Sequence, residues 1–170
     1  ARNSLLFIDS CAAVDFFGRA LRAANVAERG LPIINALHGK MAPKKRRAVW
    51  AQFRECTSER VALLCTDVAA RGLDIPEVNW IVQFDPPTFA CSGEYDAEPY
   101  MRRLLCMRGG GDGWRRLVLC LADSEAELTL LTRIQTHLGY AGRLQMVPHS
   151  DDPDRYEDVL ENWLDDFNLW

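Results

Sequence analysis

Five residues that can bind phosphate or sugar lie close together in the segment 65–76 (CTDVAARGLDIP). They supply a hydroxyl, two carboxylates, a guanidinium and a glycine: Thr66, Asp67, Arg71, Gly72 and Asp74. An apolar run, 61–64, precedes the segment and a second, 80–84, follows it. This pattern predicts a buried strand, a polar turn and another buried strand. Because open α/β sheets bind ligands at the carboxyl ends of their strands, the turn is a candidate binding site.

The rest of the chain alternates between strand-like and helix-like segments. Apolar runs predict strands at 5–8, 31–37, 61–65, 80–84 and 117–121, with a further edge strand at 144–147. Apolar spacing and capping residues predict helices over 11–25, from Pro43 onward, over 100–107, over 124–138 and over 153–167. Strands that alternate with helices indicate βαβ units. We therefore expect an α/β fold with a mostly parallel sheet and helices on both faces.

Size, charge and cysteine usage narrow the class of protein. The chain has 170 residues, enough for one domain with a real core. Its net charge of -4 argues against a protein that is basic all over, although a local basic patch remains compatible with it. No apolar stretch is long enough for a membrane span and no signal peptide is evident. The six cysteines show no metal-ligand spacing, which indicates reduced thiols in an intracellular protein.

Four ordered segments carry a resemblance to one enzyme family. Thr66–Pro76 resembles motif V of the DEAD-box RNA helicases, and Leu5–Ser10 is similar to their motif IV. Leu37–Met41, followed by Arg46, resembles the motif between IV and V. Pro76–Pro87 is similar to the strand and Pro-Pro stop that follow motif V. The amino-acid sequences of these segments are most similar to those of the nucleolar, ribosome-biogenesis branch of that family.

The resemblance covers residues 1–145 and implies the C-terminal RecA-like domain of such a helicase, a three-layer fold. Residues 146–170 match none of the family's motifs, and we expect them to form an acidic helical extension packed on that domain. This extension could be a solvated helix or a partner-docking helix. Ala1 is not a start methionine and leads almost at once into a strand, which indicates a domain cut from a longer chain.

The resemblance assigns roles to individual residues. RNA contacts are implied at Ser10, Gly39, Arg46, Thr66 and Gly72, where small residues, hydroxyls and a cation follow strand ends. Nucleotide contacts are implied at Asp74, which would accept hydrogen bonds from the ribose, and at Arg103. Asp67 and Arg71 are expected to brace the loop or to meet a partner domain. Simpler interpretations stay open: Ser10 as only a helix cap, Gly39 as only a turn, and the basic run 40–47 as a solvated helix face.

Motif VI departs from the family pattern His-Arg-x-Gly-Arg-x-x-Arg. Alignment without gaps places Arg102 and Arg103 in the first two positions, and Cys106 and Gly109 where the two arginine fingers belong. A thiol offers neither the charge nor the fork of donors that a guanidinium brings to a phosphate. Arg108 lies one position away from the second finger and is a candidate displaced catalytic arginine.

Two functions follow from this sequence, and they differ in chemistry. The first is the RNA- and ATP-binding half of an ATP-dependent DEAD-box RNA helicase that remodels RNA, in ribosome biogenesis by resemblance. The alternative is a degenerate helicase that acts as an RNA clamp or assembly scaffold with weak or no ATP hydrolysis. A third interpretation, an unrelated nucleotide-binding α/β domain, fits the ordered motifs poorly.

The implied partners follow from the first function. They are single-stranded or duplex RNA, pre-ribosomal proteins, and an N-terminal RecA-like domain of the same chain, with no membrane. ATP with Mg²⁺ would be bound mainly by that N-terminal domain, because this sequence has no phosphate-binding loop and no Asp-Glu-Ala-Asp. Alone, the domain should neither hydrolyse ATP nor unwind RNA. The nucleus or nucleolus is implied by resemblance, with the cytoplasm left open.

Overall fold

The computed structural model describes residues 3–24, 32–56, 60–67, 78, 80–85, 98–105, 117–120 and 125–137. Strands and helices alternate along these residues. In chain order they are β1 Ser4–Phe7, α1 Cys11–Ala23, β2 Ile33–Leu37, α2 Pro43–Glu55, β3 Val61–Cys65, β4 Trp80–Gln83, α3 Glu98–Leu105, β5 Leu117–Cys120 and α4 Glu125–His137. Each of these elements matches a predicted one to within a few residues. The strand predicted at 144–147 and the helix predicted at 153–167 lie outside the described residues.

The chain divides into two compact units, residues 1–130 and 131–170. The whole sheet and helices α1 to α3 belong to the first unit. The described part of the second unit is 131–137, the C-terminal half of α4, in which Leu131 and Ile134 are buried. The predicted boundary at residue 145 lies outside the described residues and stays a prediction.

The described strands form one five-stranded sheet in the order β2-β3-β1-β4-β5, and every neighbouring pair is parallel. The last residues of the strands pair in register across the whole sheet: Leu37 with Cys65, Cys65 with Phe7, Phe7 with Gln83, and Gln83 with Cys120. The five strands therefore end at the same level. Polar residues that directly follow a strand are brought to a single edge, the carboxyl edge of the sheet.

Each face of the sheet is covered by a helix. Leu5, Phe7 and Leu63 point to one face and pack with Phe53 of α2, all fully buried. Leu64 points to the other face, where Ile8 and Ile34 pack with Val14 of α1. The opposite placement follows from the strand order, because the β1–β2 and β2–β3 connections run in opposite directions and right-handed crossovers then lie on opposite faces. The predicted α/β sheet with helices on both faces is confirmed.

Candidate nucleic-acid interface

Three of the predicted RNA contacts follow the ends of three adjacent strands. Thr66 is the first residue after β3, Gly39 the second after β2, and Ser10 the third after β1. The backbone N–H of Thr66 donates to the carbonyl of Leu37 at 3.3 Å, which extends the β2–β3 pairing one step beyond the strands. The fold thus brings Ser10, Gly39 and Thr66 to one edge. Arg46 lies on α2, the helix that begins shortly after Gly39.

Four further residues with predicted roles lie outside the described residues. These are Arg71, Gly72, Asp74 and Arg108. Their assigned roles in loop bracing or domain contact, RNA binding, ribose binding and phosphate chemistry stay predictions.

Ser10 caps helix α1. Its side chain accepts a hydrogen bond from the backbone N–H of Ala13 at 3.0 Å, and its backbone lies in the extended region. The prediction that Ser10 caps a helix is therefore confirmed, and this role leaves RNA binding by Ser10 open. A serine hydroxyl that accepts a cap bond still carries its own hydrogen. Since Ser10 is exposed, that hydrogen can be donated to a ligand, and RNA binding stays a prediction.

Gly39 occupies an open position on the surface. A Cβ atom built at this residue meets no heavy atom of the described residues within 4 Å, and the backbone φ lies outside the left-handed region. Glycine is usually required where φ is positive or where backbones approach closely. Neither reason applies at Gly39 within the part of the chain that the structure describes. The free space is instead available to the backbone of another molecule.

The segment at the start of α2 is strongly basic, and its positive charges have no acidic partners among the described residues. The cations are Lys40, Lys44, Lys45, Arg46 and Arg47, and within the described residues none of them lies within salt-bridge distance of a carboxylate. The first turn of α2 contains no acidic residue and its N-cap, Ala42, makes no side-chain hydrogen bond. A helix N-terminus carries a partial positive charge and unpaired N–H groups. The N-terminus of α2 and the basic run together form a surface suited to binding a sugar-phosphate backbone.

Arg103 of α3 contacts three strand ends on the same edge. Its guanidinium is buried, with 1% of the side chain exposed. Nε donates to Asp67 Oδ1 at 2.7 Å, while Nη2 donates to Asp67 Oδ2 at 3.2 Å and to Asp9 Oδ1 at 3.0 Å. Nη1 donates to the Gln83 side chain at 3.2 Å and to the Asp85 carbonyl at 2.8 Å. These bonds use all five N–H donors of a guanidinium.

The pKa values of Arg103 and Asp9 are both shifted within this network. Burial acts to lower the pKa of Arg103, but the hydrogen bonds and charges of Asp67 and then of Asp9 outweigh it and raise the pKa. Burial raises the pKa of Asp9 above its ordinary value of 3.8, and the contact with Arg103 offsets this only in part. The Phe7 ring lies 5.1 Å from the guanidinium carbon, a cation–π distance.

The network bears on the role predicted for Arg103. No donor of this guanidinium remains for a phosphate, so nucleotide binding by Arg103 would require the network to open. That binding stays a prediction. Asp67 holds the guanidinium in a bidentate pair through its two oxygens, and its expected role in bracing the loop or meeting a partner domain stays a prediction. The sequence held a signal for this arrangement, since Asp9, Asp67 and Asp85 each come within two residues of the end of a strand.

A hydrogen-bonded pair at this edge, Asp15 with His38, was not predicted from the sequence. His38 follows β2, is buried, and shares a hydrogen bond of 3.1 Å between its Nε2 and Asp15 Oδ1 of α1. The pair links the β2 end to the helix that carries Ser10. Sequence reasoning missed it because the two residues are 23 positions apart and on different elements.

Other reactive groups give no separate site among the described residues. Burial raises the pKa of the Cys120 thiol to about 11, so it is protonated and a poor nucleophile at neutral pH. The four cysteines among the described residues are in the reduced, thiol form. No cluster of three or more His, Cys, Asp or Glu side chains suited to a metal ion occurs in the described ranges. Among those same residues, none of the helices has the length and apolar character needed to cross a membrane.

Comparison with known proteins identifies the family. Residues 2–104 match the family described as the helicase conserved C-terminal domain. The ATP-dependent RNA helicase HAS1 of Scheffersomyces stipitis is 38% identical over 124 residues, which cover 73% of this chain and 19% of that protein. The chain thus spans about a fifth of the length of this curated relative.

Two solved structures share the fold. The C-terminal domain of the DEAD-box protein Dbp5 superposes with a TM-score of 0.74 at 25% identity, over 95% of this chain and 82% of that one. Domain 2 of the DEAD-box helicase Mss116p, bound to an RNA duplex, superposes with a TM-score of 0.66 at 25% identity, over 94% of this chain and 56% of that one. The chain therefore belongs to the helicase C-terminal domain family, as a RecA-like C-terminal domain of the DEAD-box type.

Proposed function

We propose that this chain is the RNA-binding half of an ATP-dependent DEAD-box RNA helicase. The observation that carries the proposal is the alignment of Ser10, Gly39 and Thr66 at three neighbouring strand ends, with open space at Gly39. The basic start of α2 lies directly after this glycine along the chain. Support comes from HAS1, named an ATP-dependent RNA helicase, and from domain 2 of Mss116p, solved on an RNA duplex.

The chemistry of these groups suits the sugar-phosphate backbone. Hydroxyls at Ser10 and Thr66 can donate to phosphate oxygens, and Arg46 can add a charge-assisted bond. Gly39 lets an RNA strand come close, because no side chain among the described residues occupies the space above its backbone. Contacts of this kind hold and orient a strand without reading its bases. We therefore propose binding that depends on RNA shape and charge rather than on sequence.

ATP would lie between this domain and an N-terminal RecA-like domain of the same protein. Asp74, the proposed ribose contact, and Arg108 belong to residues that the structure does not describe. We propose that Mg²⁺ is held mainly by the N-terminal domain, because this sequence has neither a phosphate-binding loop nor an Asp-Glu-Ala-Asp motif. ATP would supply the phosphoryl transfer that resets the enzyme. A role in ribosome biogenesis, contacts with pre-ribosomal proteins and a nuclear or nucleolar location are further proposals that rest on resemblance.

A second function is favoured by motif VI. Cys106 and Gly109 stand where the family has its two arginine fingers, and an arginine finger contributes several orders of magnitude to the rate of phosphoryl transfer. Arg103 cannot take their place in the described arrangement, since its donors are all bonded to protein. The second candidate is therefore an RNA clamp or assembly scaffold with weak or no ATP turnover.

RNA-stimulated ATP hydrolysis by the full-length protein separates the two functions. The wild type is compared with a variant that restores both fingers, Cys106→Arg with Gly109→Arg. An active helicase gives robust turnover in the wild type, and that result would eliminate the scaffold. A scaffold gives no turnover in the wild type but binds RNA, with turnover gained in the variant. Absence of RNA binding by the wild type would overturn both functions.

A further inference from the structure

The turn that contains Gly39 is shaped by two local bonds. The N–H of Met41 donates to the carbonyl of His38 at 3.2 Å, and the N–H of His38 donates to Met41 Sδ at 3.4 Å. These bonds close the turn around Gly39 and Lys40. They lie within the turn itself, so they fix its shape but not its position relative to neighbouring elements.

The His38 side chain supplies a link to a neighbouring element. Its Nε2 lies 3.1 Å from Asp15 Oδ1 on α1. A carboxylate can only accept, so Nε2 carries the hydrogen and donates it. The imidazole is 5% exposed and the carboxylate 55% exposed, so a buried ring reaches outward to a helix on the surface.

Helix α1 also carries Ser10 at its N-cap. The Asp15–His38 bond therefore joins the element that bears one predicted RNA contact to the turn that bears another, Gly39. A backbone-binding strand that touches both residues needs them at a fixed separation. Small displacements of such groups are enough to weaken their combined hold on a ligand.

Asp15 also carries a negative charge, which bears on RNA binding. A carboxylate near an RNA-binding edge repels phosphates, so on electrostatic grounds alone it weakens binding. Its hydrogen bond to His38 gives it a compensating role. We infer that Asp15 and His38 are positioning residues that hold the Gly39 turn against α1, so that Ser10 and Gly39 grip one RNA strand together. This inference rests on the proposed RNA-binding function.

Two substitutions at one position separate geometry from charge. Asp15→Asn removes the charge but keeps an oxygen that can accept the Nε2 hydrogen, while Asp15→Ala removes both. The affinity of each chain for a short single-stranded RNA is measured by fluorescence anisotropy, beside thermal unfolding. We expect Asp15→Asn to bind as tightly as the wild type or more tightly. Asp15→Ala should bind about 3- to 10-fold more weakly than Asp15→Asn, the range that one lost hydrogen bond supplies.

The outcomes are distinct. If the wild type binds RNA and the two variants bind equally well, the positioning role is overturned while the proposed function stands. If the wild type does not bind RNA, the proposed function itself fails. A double-mutant cycle adds a second readout: in a His38→Phe background, Asp15→Ala should cause no further loss of affinity. If His38→Phe does not fold, the comparison of the two Asp15 variants decides alone.

Discussion

The carboxyl edge of the sheet has two halves that use their polar groups in opposite ways. In the braced half, at the ends of β1, β3 and β4, a single guanidinium is buried and bonded to protein acceptors through all of its donors: Arg103 with Asp9, Asp67, Gln83 and Asp85. In the open half, at the end of β2 and the start of α2, the basic run 40–47 has no carboxylate partner among the described residues.

The comparison teaches that residue type does not decide what a polar group binds. Arginines in both halves belong to segments that resemble helicase motifs. Burial and the acids placed at the strand ends commit Arg103 to the protein. In the run 40–47, Arg46 is half-buried and the other cations are exposed, and none has a carboxylate partner among the described residues. Arg103 and its acceptors are therefore expected to control stability, whereas RNA affinity is expected to depend on the open half together with Ser10 and Thr66, which follow β1 and β3. Each substitution below tests one side of that division.

Loss of Arg103 should give the largest effect on stability. Arg103→Met removes the cation and leaves Asp9 and Asp67 as partly buried carboxylates without a partner. Breaking a buried ion pair in this way costs about 3–5 kcal/mol. The free energy of unfolding is measured by urea denaturation. The matched control is Arg102→Met, at the neighbouring position, where the exposed pair with Glu98 is worth at most about 1 kcal/mol. Equal losses in the two variants would contradict the braced role of Arg103.

The two carboxylates of the braced half should differ from each other. Asp67→Asn breaks the bidentate pair with Arg103 and places an amide donor against a guanidinium donor, at a cost of roughly 1.5–3 kcal/mol. Asp9→Asn keeps an oxygen for the single bond to Nη2 and removes a carboxylate whose ionisation the fold opposes. Its cost near neutral pH should therefore be smaller than that of Asp67→Asn.

The pH dependence of the Asp9 variant follows from the raised pKa of this carboxyl. The folded chain holds the Asp9 proton more tightly than the unfolded chain, so ionisation of Asp9 lowers the unfolding free energy as pH rises above 3.8 and through the folded-state pKa. Ionisation of Asp9 contributes to the unfolding free energy of the wild type, whereas the Asp9→Asn variant has no such contribution. The difference in unfolding free energy, wild type minus variant, should fall as pH increases from 4 to 7 in urea titrations. A difference that grows with pH would show that the ion pair with Arg103 outweighs burial.

Much of this arrangement could be predicted from the sequence, because apolar runs and turn residues act locally. The five described strands, the Pro43 start of α2 and the parallel sheet all follow from patterns within a few residues of each other. The Arg103 network could not be predicted in the same way. Its partners lie 18 to 94 positions away, and only the common level of the strand ends brings them together. The Asp15–His38 bond was missed for the same reason.

The smallest effect on stability is expected in the open half, at Gly39. Gly39→Ala adds a methyl group that meets no heavy atom of the described ranges within 4 Å and requires no left-handed backbone, so the unfolding free energy should change by less than about 0.5 kcal/mol. RNA affinity should nevertheless fall several-fold, because the methyl group occupies the space proposed for the phosphate backbone. Gly18→Ala is the matched control, since its Cβ would lie 3.2 Å from Ala36 Cβ, inside the α1–β2 contact. That variant should alter stability, and if Gly39→Ala bound RNA like the wild type, the open half would lose its proposed ligand.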